Sequence, residues 1–319
     1  MNSMNKSLNY QKQLNIIRAI ASLGVAFFHF GGYYVPMLNY GWLGIQMFFV
    51  LTGFVICWSL PENYKLNDFK TYFGRRLIRV EPPYLVSILI IVSLAYWVRK
   101  DMSHINLKNV IFHLSYVNNF FNNDYLSPVY WTLGIEFQFY ILIGLLFPVI
   151  SNFPKHSIVL LVFLNLVYLI IPIKYCTIFF FMPYFTLGIL IYLIKRNKLK
   201  KGEFYPLFAI NICWLFYRMG IPETLASIIT ALIILLLHKS NFIIDFFSKI
   251  SFSLYLTHTT IGSPVIIYVG NIFSSKNIFT KAFAFSCGMT TAILFAYIFY
   301  IIIEKWALSA SKKIKYATS

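Results

Sequence analysis

Two ionisable residues share one face of the first apolar segment of the sequence. Arg18 and His29 are eleven residues apart, which corresponds to about 1100° of helical rotation, or about 20° from three full turns. Both side chains therefore leave the same face, about 16 Å apart along the helix axis. An imidazole titrates near neutral pH and can act as a base. Alternatively, Arg18 could only extend to lipid phosphate, and His29 could hydrogen-bond to a neighbouring helix.

A pair of arginines lies in a basic segment between two apolar segments. Arg76 and Arg79 are three residues apart and would be neighbours on one face if the segment is helical. Paired guanidinium groups suit a ligand with several phosphates, because each group offers two parallel hydrogen bonds. The alternative is that these arginines only anchor the chain at the membrane surface.

Glu136 is an acidic residue inside an apolar segment, where ionised groups are costly and therefore indicate function. It follows Pro128 by eight residues, which places it roughly 12 Å along a helix that begins there. At that depth it could share a layer with His29 and orient the imidazole. The alternative is a packing role, in which Glu136 is bonded to Tyr140 one turn further along.

Ser251, Tyr255 and His258 are spaced i, i+4 and i+7 and therefore share one face of a predicted helix. This face could meet a ligand near Arg18, or its side chains could only form hydrogen bonds between helices. The sequence contains no GxSxG, HExxH, phosphate-loop or GxGxxG motif. It also lacks metal-ligand spacing among its histidines and cysteines, so we expect no metal site.

The composition indicates which elements hold these residues. Hydrophobic residues make up 59% of the 319 residues and charged residues 12%, whereas soluble domains have roughly 45–50% and about 25%. This composition excludes a soluble globule, a disordered chain and a coiled coil, and the sequence predicts an all-α polytopic membrane protein. The basic residues behind the net charge of +17 lie between apolar runs. They indicate contact with anionic lipid or an anionic ligand, and not with nucleic acid.

The sequence contains about ten apolar runs that approach the roughly 20 residues needed to cross a bilayer. The predicted spans are Leu14–Tyr33, Trp42–Leu60, Pro82–Val98, Pro128–Ile150, Ser157–Ile173, Thr177–Ile194, Phe204–Tyr217, Ile221–Leu237, Ile250–Gly270 and Ile278–Ile303. Of the 27 basic residues, 19 fall on one side of these spans, so the positive-inside rule predicts that both termini are cytoplasmic. We expect residues 1–319 to form a single membrane domain without an appended soluble domain.

Five segments, in order along nearly the whole chain, resemble motifs of the acyltransferase-3 family of bacterial membrane proteins. They are residues 14–29 with the Arg-x10-His spacing, residues 41–54, residues 76–84 with an RxxR element, residues 131–140, and residues 251–258 with a Ser-x-x-x-Tyr-x-x-His element. The sequence departs from the family pattern at a few positions where acidic or hydroxyl residues are usual: Asn15, Gln46, Thr52 and Phe137. The histidine and the arginines of the motifs are present despite these departures.

The resemblance implies transfer of an acyl group, usually acetyl, from cytoplasmic acyl-coenzyme A to a hydroxyl of an extracytoplasmic or lipid-linked glycan. The protein is then expected in the inner (cytoplasmic) membrane. Arg18, Arg76 and Arg79 would bind the phosphates of the donor. His29 would act as general base on the acceptor hydroxyl, or would carry the acyl group transiently. The sequence leaves both roles of His29 open.

The remaining candidates would surround the reacting groups. Glu136 would orient His29 or bind the sugar, and Tyr140, Tyr255 and His258 would line the cavity. The expected partners are acyl-coenzyme A, a glycan or lipid-linked saccharide, and membrane lipids, with no permanently bound cofactor. Two other classes of protein fit the composition: a transporter or flippase for a lipid-linked glycan, and a sensor or assembly scaffold that has kept the fold without the chemistry.

Overall fold

The computed structural model describes residues 2–31, 35–36, 38–100, 102, 105–121, 123–170, 177–237, 239–273 and 277–316. All regular secondary structure in these ranges is helical. The α-helices are α1 (Asn2–Gly31), α2 (Gly44–Ser59), α3 (Phe69–Leu94), α4 (Leu107–Leu114), α5 (Trp131–Asn152), α6 (Pro154–Ile170), α7 (Ile178–Lys195), α8 (Lys201–Met219), α9 (Ile221–Leu236), α10 (Phe242–Ile272), α11 (Ile278–Phe299) and α12 (Lys305–Lys313). A π-helical turn, Tyr300–Glu304, joins α11 to α12.

Seven helical stretches among the described residues are long and apolar enough to cross a membrane. They are Lys12–Gly31, Leu38–Ser59, Leu66–Val98, Trp131–Asn152, Ile178–Lys195, Phe242–Ile272 and Ile278–Lys313, and the apolar helices α6 and α9 are shorter. The prediction of an all-α polytopic membrane protein is therefore confirmed. The count of ten spans and the cytoplasmic termini stay predictions. The predicted span ends at Tyr33 and Ile173 lie outside the described residues.

Helix α3 begins well before the predicted span. The prediction started this span at Pro82, whereas the helix runs from Phe69 through Pro82 and Pro83 to Leu94. A proline inside a helix leaves the carbonyl four residues earlier without its amide partner, and membrane proteins tolerate this where neighbouring groups compensate. The longer helix includes Arg76 and Arg79, so they are neighbours on α3.

Close packing of α2 against α7 occupies the centre of the main hydrophobic core, and two glycines allow it. A Cβ atom on Gly53 would lie 2.3 Å from the carbonyl oxygen of Phe185, and one on Gly188 would lie 2.2 Å from that of Val50. Both separations are far below van der Waals contact, so only glycine lets the two backbones approach this closely. The ring of Phe185 also stacks on Phe139 with centroids 4.2 Å apart, which attaches α5 to the same core.

A buried histidine holds the segment between α3 and α5. His113 on α4 has its Nδ1 atom 2.8 Å from the carbonyl oxygen of Asn109, and its Nε2 atom accepts a hydrogen bond from the backbone amide of Leu126 at 3.0 Å. The ring is therefore neutral, with its hydrogen on Nδ1. Burial lowers the pKa of His113 below its ordinary value. The short helix α4 was not predicted, and His113 joins it to the chain that leads into α5.

Candidate functional site

A cavity of about 560 Å³, partly open to the surface, lies among α1, α2, α3, α5, α10, α12 and the π-helical turn. This volume is within the range of about 300–1,000 Å³ that is usual for ligand pockets. The charged side chains in its wall are Arg18, Lys249, Arg76, Arg79, Lys312, Glu136 and Glu304. The cavity therefore gathers the three predicted arginines and Glu136, together with three charged residues that the sequence analysis had not selected.

The three arginines come from two helices. Arg18 lies on α1, and Arg76 and Arg79 lie on α3. Arg76 donates a hydrogen bond to Oγ of Ser59, the last residue of α2. Its guanidinium carbon also lies 5.8 Å from the centre of the Tyr72 ring. Three guanidinium groups in one cavity create a strongly positive potential, which suits an anionic ligand.

Two lysines that the sequence analysis treated only as loop charges also line the cavity. Lys249 lies near the start of α10 and Lys312 near the end of α12, and both are exposed. We call the region around Lys249, Lys312 and Arg76 the basic end of the cavity. Tyr255 follows Lys249 by six residues on α10, or about 9 Å along the helix axis. The cavity therefore extends from the basic end into the interior of the bundle.

Glu136 on α5 is hydrogen-bonded through both carboxylate oxygens. Thr52 donates from Oγ1 to Oε1 at 3.1 Å, and Tyr140 donates from Oη to Oε2 at 2.7 Å. The bond to Tyr140 is the packing alternative that the sequence suggested. The partners described for Glu136 do not include His29, and its charge acts on Arg79 and Arg76. Glu136 therefore lies in the same cavity wall as the arginines.

Tyr255 forms part of the cavity wall and connects α10 to α5. Its Oη atom lies 2.7 Å from Oγ1 of Thr132 and donates a hydrogen bond to the carbonyl oxygen of Val129 at 3.1 Å. Ser251, one turn earlier, lines the cavity as well. The predicted face of α10 is therefore exposed to the cavity at Ser251 and Tyr255, whereas His258 is completely buried behind it.

His29 and His258 lie beside each other, beyond the part of the wall formed by Tyr255. Their ring centroids are 5.2 Å apart, and the rings of Tyr255 and His258 are 6.3 Å apart. Arg18 and His29 are separated along α1 as the sequence predicted, but Arg18 alone of the two lines the cavity. The ring beside His29 is that of His258 on α10, the helix that packs against α1, and the contacts described for His29 do not include Glu136.

Glu304 is a candidate that the sequence analysis missed. It is the last residue of the π-helical turn, it is buried, and it lines the cavity with a hydrogen bond to Ser253. Its charge acts on Arg18 and Arg79. Isolated π-helical turns occur frequently at functional sites. The sequence signal is an acidic residue directly after the last predicted span, Ile278–Ile303.

Asn15 stands where the family pattern usually has an acidic residue, and a carboxylate from another helix lies beside it. The Nδ2 atom of Asn15 donates a hydrogen bond to Oδ1 of Asp245 at 2.8 Å, and the Oδ1 atom of Asn15 accepts one from Oγ of Ser248 at 2.9 Å. Asp245 and Ser248 both lie in the first two turns of α10. Position 15, three residues before Arg18, thus carries no acidic group itself, but its side chain is hydrogen-bonded to the carboxylate of Asp245.

These features define a class of protein: a membrane-spanning helical bundle that encloses an arginine-lined cavity, with a pair of histidines behind its wall. A family model described as an acyltransferase domain matches residues 11–301, which is most of the chain. The chain belongs to this family, the acyltransferase-3 family that its motifs resemble.

Several curated proteins are similar to parts of the chain. ORF330 of Acidianus two-tailed virus, provisionally named as an acetyltransferase, is 27% identical over 224 residues, which cover 66% of this chain and 66% of the viral protein. SAS0844 of Staphylococcus aureus MSSA476, provisionally named as an O-acetyltransferase, is 32% identical over 46% of this chain and 25% of its own length. The O-acetyltransferase OatA of S. aureus NCTC 8325 is 29% identical over 47% of this chain and 26% of its own length. The chain thus spans about a quarter of the staphylococcal relatives. No solved structure matches it.

Proposed function

We propose that the protein is an O-acyltransferase of the cytoplasmic membrane. It transfers an acyl group, most simply acetyl, from acyl-coenzyme A to a hydroxyl of a cell-surface or lipid-linked glycan. The observation that carries this proposal is the cavity wall, where Arg18, Arg76 and Arg79 form a cationic site. Coenzyme A offers such a site a diphosphate and a 3′-phosphate. Family membership and the names of the relatives support the reaction class.

The donor would enter at the basic end of the cavity, which we place on the cytoplasmic side. Its phosphates bind the guanidinium groups, because each offers paired hydrogen bonds to phosphate oxygens. The pantetheine arm then extends along α10 toward Tyr255. The acyl group has to pass Tyr255 to arrive at His29.

His29 would act at the acyl group by one of two routes. In the direct route it takes the proton of the acceptor hydroxyl while the hydroxyl oxygen attacks the thioester carbonyl carbon. The ester C–O bond forms, the C–S bond breaks, and the coenzyme A thiolate leaves and takes up a proton. In the two-step route the imidazole nitrogen attacks the thioester carbonyl carbon and expels the coenzyme A thiolate. The acceptor hydroxyl then attacks the acyl-imidazole, the N–C bond breaks to free the imidazole, and the hydroxyl proton passes to the thiolate. Both routes release the same products.

The carboxylates in the wall would partly offset the positive potential around the donor. Glu136, held by Thr52 and Tyr140, and Glu304 lie in the same wall as the arginines. They keep the guanidinium groups from repelling one another before the donor arrives. Tyr140 and Tyr255 present aromatic surface to the pantetheine arm or the sugar.

The decisive experiment measures release of the coenzyme A thiol from acetyl-coenzyme A by inverted membrane vesicles that contain the protein and the native glycan. His29→Ala should lower the rate by roughly 10²–10⁴-fold. Mass spectrometry of surface glycans from cells with the wild type and with His29→Ala should differ by one acyl group. Transport of a lipid-linked glycan without thiol release would support the flippase alternative and overturn the proposal.

Arg76 and Arg75 provide a matched pair for the donor site. Arg76 lines the cavity, whereas Arg75 lies 5.1 Å from the ring of Tyr316. Arg76→Ala should raise the KM for acetyl-coenzyme A, and Arg75→Ala should change it little. Equal effects of the two substitutions would indicate simple membrane anchoring by this segment.

A further inference from the structure

His258 is completely buried and has one nitrogen atom whose hydrogen-bonding capacity is unused. Its Nδ1 atom lies 2.9 Å from the carbonyl oxygens of both Leu254 and Tyr255. Because carbonyls only accept hydrogen bonds, Nδ1 carries the hydrogen, and Nε2 presents a bare lone pair. That Nε2 atom is shielded from solvent and has no hydrogen-bond partner in the described structure.

A buried acceptor without a partner destabilises the fold, because it loses its bond to water and gains nothing in return. An apolar side chain of similar size would fill the position at lower cost. The helix does not need the histidine either, since the carbonyls of Leu254 and Tyr255 belong to the interior of α10. The imidazole therefore requires an explanation other than stability.

The ring that lies against His258 is that of His29, with centroids 5.2 Å apart and planes inclined by 46°. The ring of Phe30 on α1 packs directly on the backbone of α10 at Gly262, one turn after His258. A Cβ atom at Gly262 would lie 2.2 Å from the ring of Phe30. Phe30 in turn packs edge-on against His258 at 5.8 Å. Phe30 thus packs against both the backbone of α10 at Gly262 and the ring of His258, which keeps α1 and the two imidazoles close together.

We propose that His258 is the positioning residue for His29. Its Nε2 lone pair accepts the N–H of His29, which fixes the tautomer of His29 and leaves the other nitrogen of that ring as a lone pair for the acceptor hydroxyl or the acyl group. A small rotation of the His29 ring about its side-chain torsions forms this bond. His258 does not line the cavity and acts through His29. The inference rests on the proposed acyltransferase function, and it assigns to His258 the orienting role that the sequence had suggested for Glu136.

Three substitutions separate positioning from packing. In His258→Gln, the side-chain oxygen can stand where Nε2 stood, so an acceptor is kept. In His258→Asn, the shorter amide can still donate to Leu254 but places no acceptor near His29. His258→Leu removes every polar atom and fills the volume. All three are compared by thiol release from acetyl-coenzyme A in inverted membrane vesicles and by thermal unfolding of the purified protein.

The Leu and Asn variants should lose kcat by about 10- to 100-fold, by analogy with the partners that orient metal-bound histidines. Their KM for acetyl-coenzyme A should stay close to that of the wild type, since the donor site lies elsewhere. The Gln variant should recover most of the kcat. The Leu variant should unfold at a temperature no lower than the wild type, because the unpartnered nitrogen has been removed.

Wild-type kcat in the Leu or Asn variant, or equal kcat in the Asn and Gln variants, would overturn the positioning role. Should the Leu variant fail to fold, the comparison of Asn with Gln decides the matter alone. Failure of the proposed function itself has a different signature: the wild-type protein would then release no thiol in the same vesicles.

Discussion

Glu304 and Ser253 are joined by two hydrogen bonds across the interface between the π-helical turn and α10. Oε2 of Glu304 accepts from the backbone amide of Ser253 at 3.1 Å and from its Oγ atom at 2.5 Å. The turn rotates this side chain into the cavity wall, where its charge acts on Arg18 and Arg79. A fixed carboxylate thus balances part of the positive charge of the cavity.

Glu304→Ala should destabilise the protein by about 3 kcal/mol, because it removes one partner from a buried group of charges and leaves Ser253 unpaired. Glu304→Gln should cost less, because an amide oxygen can still accept from Ser253. Thermal unfolding in detergent measures both effects. The matched control is Glu62→Ala, since Glu62 forms an exposed ion pair with Arg196 and such pairs stabilise little. Equal losses at Glu304 and Glu62 would contradict the role of the buried carboxylate.

Lys249 and Lys312 should contribute to donor binding by charge. Replacing both with Gln should raise the KM for acetyl-coenzyme A by about tenfold, the loss expected for one bond to a charged group. The increase should be smaller for acetyl-3′-dephospho-coenzyme A if the lysines bind the 3′-phosphate. Lys313→Gln is the control, since this neighbouring residue is exposed and is not part of the cavity wall. An unchanged KM in the double variant would place the phosphates elsewhere.

His113 should make the stability of the protein depend on pH. Burial lowers its pKa in the folded state, so the unfolded chain binds a proton at a higher pH than the folded one. Its contribution is complete above the ordinary histidine pKa of about 6.5 and is lost as the pH falls below that value. Protonation of Nε2 would also break the bond from Leu126.

The fall in unfolding temperature between about pH 7.5 and about pH 5.5, on either side of that pKa, should be smaller in His113→Gln than in the wild type. His156→Gln, at an exposed histidine, serves as the control. A slope that does not change in His113→Gln would mean that other groups cause the acid sensitivity.

The positions of the membrane helices could be predicted from the sequence, because a run of apolar residues is a direct requirement of the bilayer. The ends of these helices could not be predicted. Helix α3 extends back to Phe69 through charged residues, and α10 begins at Phe242, eight residues before the predicted start at Ile250. The early turns of α3 contain Lys70, Arg75 and Arg76, and those of α10 contain Asp245 and Lys249, so hydropathy does not mark these turns as part of a span.

Where residues share one helix, the face that they occupy could be predicted, but which of them line the cavity could not: Arg18 lines it and His29 does not. The faces that carry Arg76 with Arg79, and Ser251 with Tyr255, follow from spacing alone. Pairings between helices do not, because nothing in the spacing along α1 indicates that His258 and not Glu136 lies beside His29. Glu304 was missed because it follows the last predicted span, and the sequence does not show that a π-helical turn continues the helix there.

Helix α7 has a consequence for how the protein is made. Although its residues are apolar enough for a span, 78% of its most apolar stretch is covered by other helices. Synthesis proceeds from the N-terminus, so α7 enters the bilayer before α8 and α9 exist to enclose it. Lipid chains must serve as its temporary surroundings, and they can do so because they are as apolar as its later neighbours. The apolar residues that allow α7 to insert are thus the same residues that later pack against the other helices.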